Sequence, residues 1–143
     1  MNLILTNSMV SYIHTFISTL YLVIAVTTII KFAIAWKRKY QFTKIDKYLA
    51  LSLLSTLYIQ MLMGIYLFYI KINSTIIIHN NSLEDRFWPL EHFFVMLFSI
   101  LIAQLGYIYS QNLKKSEKKF KTLFLYFTSS FLLVMISLAM IFL

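Results

Sequence analysis

Residues 48–70 read YLALSLLSTLYIQMLMGIYLFYI, an unbroken run without a charged side chain. A helix of about 20 apolar residues is long enough to cross the hydrocarbon core of a bilayer. Working outward from this run, comparable apolar segments cover about residues 9–36, 88–110 and 120–143. The pattern predicts an all-α fold, a polytopic membrane protein in which four transmembrane helices form one bundle. The whole chain, residues 1–143, is then a single domain.

The composition favours a membrane protein over a soluble one. Hydrophobic residues make up 60% of the 143-residue chain and charged residues only 13%. Such a chain is too apolar for an ordinary soluble domain and too short for several domains. A net charge of +8 would indicate nucleic-acid binding in a soluble protein, but these charges lie mostly between the apolar runs. We therefore expect a lipid bilayer, and no nucleic acid, as partner. The absence of Cys excludes disulfides and thiolate chemistry.

The distribution of charge predicts how the helices are oriented. Residues 37–47 and residues 111–121 each carry five Lys or Arg residues against one acid, whereas residues 71–87 are balanced. Basic connections stay in the cytoplasm. We therefore expect a multi-pass protein of the bacterial inner membrane, with both termini and the 71–87 loop outside. The first segment lacks a basic leader and a small-residue cleavage site, so we expect it to remain as an anchor.

Two of the three histidines fall at matching depth on different helices. His14 and His92 each lie about five residues into a predicted helix from the outer side, roughly 8 Å below the boundary. His79 is expected in the outer loop. Ionisable side chains within a membrane are candidates for function. Two imidazoles at one depth are therefore candidates to hold a ligand between them.

Both histidines belong to stripes of small or polar residues at helical spacing. Such stripes normally face other helices, so packing alone would also explain them. We assign Gln60, and the stripe on the fourth helix that includes Ser130 and Ser137, to packing as well. The third-helix stripe contains His92, Met96, Ser99, Ala103 and Gly106, and the first-helix stripe contains Ser11, His14, Ser18, Tyr21, Ala25 and Thr28.

Haem b is the ligand that these features favour. Its iron takes axial His ligands, and its ring suits an apolar helix bundle. Arg86 and Lys71, at the outer boundary, are candidate partners for the haem propionates. Zinc is less favoured, because two His residues without a converging acid or Cys form an incomplete site. No nucleophile–base pair or phosphate-binding loop occurs, so an electron carrier or accessory protein is expected before an enzyme.

Three stretches also resemble a known family: FTKIDKYLAL (42–51), QMLMGIYLFYI (60–70) and RFWPLEHFFVM (86–96). With an early His14, the chain resembles over roughly residues 12–112 the small bacterial four-helix membrane proteins labelled cytochrome-b-like. The resemblance implies haem b as cofactor. The family has a further His two residues before Gln60, where this chain has Tyr58. The family also tends to end in a basic-apolar segment with Pro and Trp, whereas this chain ends SLAMIFL. These two differences leave open a second interpretation, in which the chain is a relative that keeps the four-helix scaffold and does not bind haem.

The sequence leaves three functions to compare. The first is a small b-type cytochrome or haem-binding membrane protein, in which His14 and His92 hold haem near the outer leaflet and single electrons pass to a redox partner. The alternative is a cofactor-free accessory or assembly subunit of a larger membrane complex. A transporter or channel would require a homo-oligomer, and the lack of internal repeats or Gly/Pro-broken helices counts against it.

Overall fold

The chain forms four long helices. The computed structural model describes residues 3–78 and 88–139, with side chains for residues 8–70 and 90–139. The predicted all-α, four-helix fold is confirmed, although residues 140–143 of the predicted fourth helix lie outside the described part. The helices are α1 (Leu3–Lys37), α2 (Lys44–Ile78), α3 (Trp88–Gln111) and α4 (Ser116–Ala139).

Several helices extend beyond the predicted membrane boundaries. α2 continues to Ile78, so the predicted loop 71–87 is helical over residues 71–78. The basic connections shorten to residues 38–43 and 112–115, because α2 and α4 begin earlier than predicted. A helix is held by its own backbone hydrogen bonds and does not need an apolar environment to continue. The ends of the helices therefore do not coincide with the ends of the apolar runs.

The connection between α1 and α2 is short because both helix ends are capped. At the end of α1, Lys39 adopts a left-handed conformation with φ 54°, and Tyr40 N donates to Ala35 O at 3.0 Å. This is the arrangement of a Schellman cap. At the start of α2, Asp46 Oδ2 accepts hydrogen bonds from Thr43 N at 2.8 Å and Thr43 Oγ1 at 2.7 Å. Together the two caps fix the turn that returns α2 alongside α1.

The four helices pack in chain order around a common axis. α1 lies against α2 and α4, and α3 lies against the same two helices, so α1 and α3 are diagonally opposite. α3 and α4 form the most extensive pair. Gly106 permits their close approach, because an added Cβ would overlap Tyr126 Cβ and lie 2.6 Å from Tyr126 Cγ. Across the same interface, Ser99 Oγ lies 3.0 Å from the carbonyl oxygen of Ser130, to which it donates.

The interior differs between the two ends of the bundle. We call the end that carries connections 38–43 and 112–115 the basic end, and the opposite end the far end. Aromatic rings fill the basic end: Phe32 lies 5.6 Å from Phe120 and 6.1 Å from Phe127 between ring centroids. The Lys119 ammonium stands 5.3 Å above the ring of Phe42. Ring packing and a cation–π contact thus fill the interior between the helices at the basic end.

All four helices are long and apolar enough to cross a membrane, by length and composition. The outer surface has the same character, since Phe16 is 70% exposed, Leu62 68% and Phe98 58%. Apolar side chains exposed along every helix are unfavourable in water and favourable in lipid. The fold is therefore compatible with a multi-pass protein surrounded by a bilayer.

Candidate functional site at the far end

His14 and His92 line one interior cavity of about 40 Å³, although α1 and α3 are diagonally opposite. All four helices contribute to the cavity wall. The structure therefore brings together the two imidazoles that the sequence singled out. The other lining residues are Ser18, Tyr21, Leu22, Gln60, Met96, Val134 and Leu138.

His92 is oriented by α4. Its Nδ1 lies 2.6 Å from the hydroxyl oxygen of Ser137, which is fully buried. Either atom is the donor, depending on which ring nitrogen carries the proton. When Nδ1 donates to the hydroxyl, Nε2 keeps its lone pair, as in histidines that bind a metal. Ser137, which the sequence assigned only to packing, thus positions a candidate ligand.

The backbone around His14 is held by α2. Gln60 Nε2 donates to His14 O at 3.1 Å and also to Ser18 Oγ. Ser18 Oγ itself donates to His14 O at 2.9 Å. Beside the ring, a Cβ added at Gly64 would lie 3.9 Å from His14 Cε1, which is an ordinary contact distance. These contacts fix how α1 and α2 align beside the cavity.

Two buried polar atoms of the cavity-lining residues have no hydrogen-bond partner among the described residues: His14 Nδ1 and Gln60 Oε1. Each such group costs about 1–3 kcal/mol if it stays unpaired. A buried water typically makes about three hydrogen bonds, and its share of liquid volume is about 30 Å³. The cavity of about 40 Å³ is therefore large enough to hold water beside these groups.

The residue types fit haem, but the space between them does not. Two imidazoles on diagonally opposite helices are suitable axial donors for haem iron. Pockets for organic ligands, however, measure about 300–1,000 Å³, whereas this cavity measures about 40 Å³. A porphyrin ring does not fit between His14 and His92 as they stand. Binding would require α1 and α3 to move apart at the far end.

The other predicted site residues do not join the cavity. Arg86 lies outside the described residues, and Lys71 lies on α2 beyond the part whose side chains are described. Tyr58, at the position of the family histidine, is 44% exposed, and its hydroxyl donates to Gln104 Oε1 at 3.2 Å. Tyr58 is not among the residues that line the cavity. It therefore does not replace the missing histidine there.

Side chains that could bind a metal ion are few among the described residues. The described residues contain no group of three or more His, Cys, Asp or Glu side chains that could hold a metal ion. The two imidazoles thus form a pair of donors without a third conventional ligand, which suits axial ligation better than a tetrahedral site.

A polar pair at the basic end was missed by the sequence interpretation. Lys31 Nζ lies 2.8 Å from Asp46 Oδ1, and Asp46 is only 3% exposed. The signals were present in the sequence: Lys31 is the one Lys or Arg within the first apolar run, and Asp46 is the one acid of the first basic connection. Their partnership depends on how α1 and α2 align, which sequence spacing does not give.

Comparison of the chain with protein-family models, with curated proteins and with solved structures finds no match. The class that the fold defines is a four-helix protein whose helices can cross a membrane. The resemblance to the cytochrome-b-like proteins stays a prediction.

Proposed function

We propose that this chain is a haem-binding protein of the bacterial inner membrane, and that it carries single electrons near the outer leaflet. The observation that supports this function is the pair His14 and His92. They come from diagonally opposite helices and line the same interior cavity. Two partly buried imidazoles on opposing helices of an apolar bundle are suitable axial ligands for a b-type haem.

The protein supplies orientation and a mainly apolar surrounding. Ser137 contacts His92 at Nδ1 and thereby fixes the orientation of the ring. Haem b, when bound, would supply the one-electron chemistry. The cavity of about 40 Å³ requires the far ends of α1 and α3 to separate on binding. Arg86 and Lys71 are proposed to pair with the propionates.

An absorption spectrum tests this function. The protein is purified in mild detergent after expression with supplied haem, and spectra are recorded oxidised and dithionite-reduced. We expect a Soret band and reduced α and β bands that disappear in His14→Ala and in His92→Ala. His79→Ala is the matched control, because it removes the third histidine of the chain, and it should leave the spectrum unchanged. A featureless spectrum of the wild-type protein, also after haem is added in vitro, would refute the proposal.

A second function, a cofactor-free subunit of a larger membrane complex, is favoured by the small cavity volume. In that case the His92–Ser137 and Gln60–His14 contacts serve only to align the helices. Co-purification with a defined set of membrane proteins, without haem, would support this function over the first.

We also propose the orientation that the charge distribution predicts, with connections 38–43 and 112–115 in the cytoplasm. Because the chain has no Cys, single cysteines can report on each side. In intact cells a membrane-impermeant maleimide should label Asn80→Cys and should not label Gln41→Cys or Asn112→Cys. The reverse labelling pattern would overturn the orientation.

A further inference from the structure

A groove at the basic end provides a second candidate site. It has a volume of about 630 Å³ and lies between the last part of α1 and the connection 38–43, with Asp46 of α2 and Phe120 of α4 also in its wall. This volume falls within the range of pockets that bind organic ligands, about 300–1,000 Å³. On α1 the groove begins at Thr27, whereas the cavity that contains His14 extends only to Leu22.

The walls of the groove belong to segments that can span the membrane. Ile30 and Ile34 line it and are 54% and 45% exposed. Both lie in the candidate span Ser8–Lys37. In a bilayer the groove therefore opens toward lipid acyl chains, and its occupant is expected to come from the membrane rather than from water.

The groove also contains a lysine within the apolar segment. Lys31 precedes the end of α1 by six residues, which corresponds to about 9 Å of helix. Its ammonium group bonds Asp46 Oδ1 at 2.8 Å, and the side chain remains 43% exposed. A lysine has three N–H donors, so this ion pair leaves donors for a further acceptor at the depth where lipid headgroups meet acyl chains.

The surrounding charge is positive. Residues 37–47 contain five Lys or Arg residues, and their single acid, Asp46, is already paired with Lys31. Arg38 Nη1 also donates to the hydroxyl of Tyr40 at 3.2 Å, and Tyr40 lines the groove. A polar rim with excess positive charge above an apolar groove complements an anionic headgroup with an acyl chain.

We propose that this groove binds one anionic phospholipid. The phosphate is held near Lys31 and the basic connection 38–43, and an acyl chain lies against Ile30 and Ile34. This site is distinct from the cavity of His14 and His92, because the two share no lining residue.

Native mass spectrometry of the full-length protein tests the proposal. The protein is released from detergent with dioleoyl phosphatidylglycerol or dioleoyl phosphatidylcholine at equal concentrations. We expect one retained phosphatidylglycerol and at least tenfold less phosphatidylcholine. Ile34→Trp fills the groove without changing charge and should reduce phosphatidylglycerol retention at least tenfold. Ile136→Trp places the same residue on the exposed surface of α4, where Ile136 is 54% exposed, and should have no effect.

A second pair of variants tests the charges without filling the groove. Arg38→Gln with Lys44→Gln should weaken phosphatidylglycerol retention, because Arg38 contacts Tyr40 and Lys44 follows the groove residue Thr43. Lys114→Gln with Lys115→Gln removes the same charge from the other connection and should not weaken it. Three results would each overturn the proposal. They are equal retention of phosphatidylglycerol and phosphatidylcholine, full retention of phosphatidylglycerol by Ile34→Trp, and equal weakening of that retention by the double variant at residues 38 and 44 and the double variant at residues 114 and 115. Haem spectra play no part in this readout, so the two proposals fail separately.

Discussion

The two glycines of this chain should respond oppositely to alanine. At Gly106 an added Cβ would overlap Tyr126 Cβ and lie 2.6 Å from Tyr126 Cγ. Carbon atoms prefer separations of about 3.5–4.0 Å, so the deficit at Cγ is about 1 Å. Because Tyr126 Cβ is fixed to the backbone, no side-chain rotation relieves the overlap. α3 and α4 must therefore separate.

The magnitude follows from two opposing effects. Overpacking an interior contact costs about 1–3 kcal/mol, and a clash with a backbone-attached atom belongs at the upper end, about 3 kcal/mol. Alanine recovers about 1 kcal/mol over glycine in helix propensity. The free energy of unfolding of Gly106→Ala should therefore be about 2 kcal/mol lower than that of the wild-type protein. At about 2–4 °C per kcal/mol, the melting temperature should fall by about 4–8 °C.

Gly64→Ala is the matched control. Its added Cβ would meet His14 Cε1 at 3.9 Å, an ordinary contact, so only the gain in propensity remains. We expect an unchanged or higher melting temperature in the same detergent, measured by circular dichroism at 222 nm. If Gly106→Ala melted at or above the wild-type temperature, or if both variants lost equal stability, the close approach of α3 and α4 would be refuted.

Three further variants test the caps and the buried polar contacts by the same melting assay. Lys39→Gly should stabilise the protein by about 0.5–1 kcal/mol, because glycine tolerates the left-handed conformation that lysine adopts there; no gain would contradict the cap geometry. Asp46→Ala should cost about 2 kcal/mol through lost charge-assisted hydrogen bonds, and an unchanged melting temperature would argue against its buried ion pair. Ser99→Ala should cost about 1 kcal/mol, whereas Ser129→Ala, exposed on α4, should cost nothing measurable; equal losses would count against the Ser99–Ser130 contact.

The number of helices could be predicted from the sequence because it contains four apolar runs, each of about the length that a helix needs to cross a bilayer. Burial along the third helix was also predictable: Met96, Ser99 and Ala103 of the proposed stripe are buried. On the first helix the same prediction holds for Tyr21, but Ser11, nearer the end of the bundle, is exposed. Small and polar residues at helical spacing are thus a good guide to the interior except near helix ends.

The end of α2 and the details of the site could not be predicted. Lys71 marks a change in hydropathy, but the helix continues past it because its hydrogen bonds are internal. The partnership of Lys31 with Asp46 and the contact of Ser137 with His92 depend on the relative height of two helices. The cavity volume depends on how four side-chain surfaces interlock. None of these quantities has a signature in the spacing of residues along one helix.

The two ends of the bundle should differ in how easily the helices move apart. Phe32, Phe120 and Phe127 join α1 to α4 at the basic end, whereas nearer the far end a cavity separates His14 from His92 and the stacked rings of Phe68 and Phe93 join only α2 to α3. If α1 and α3 separate, we therefore expect the helices to stay in contact at the basic end and to move apart at the far end. The proposed lipid groove lies at the basic end, where the helices would move least. A bound lipid would therefore stabilise the contacts at the basic end while the far end opens.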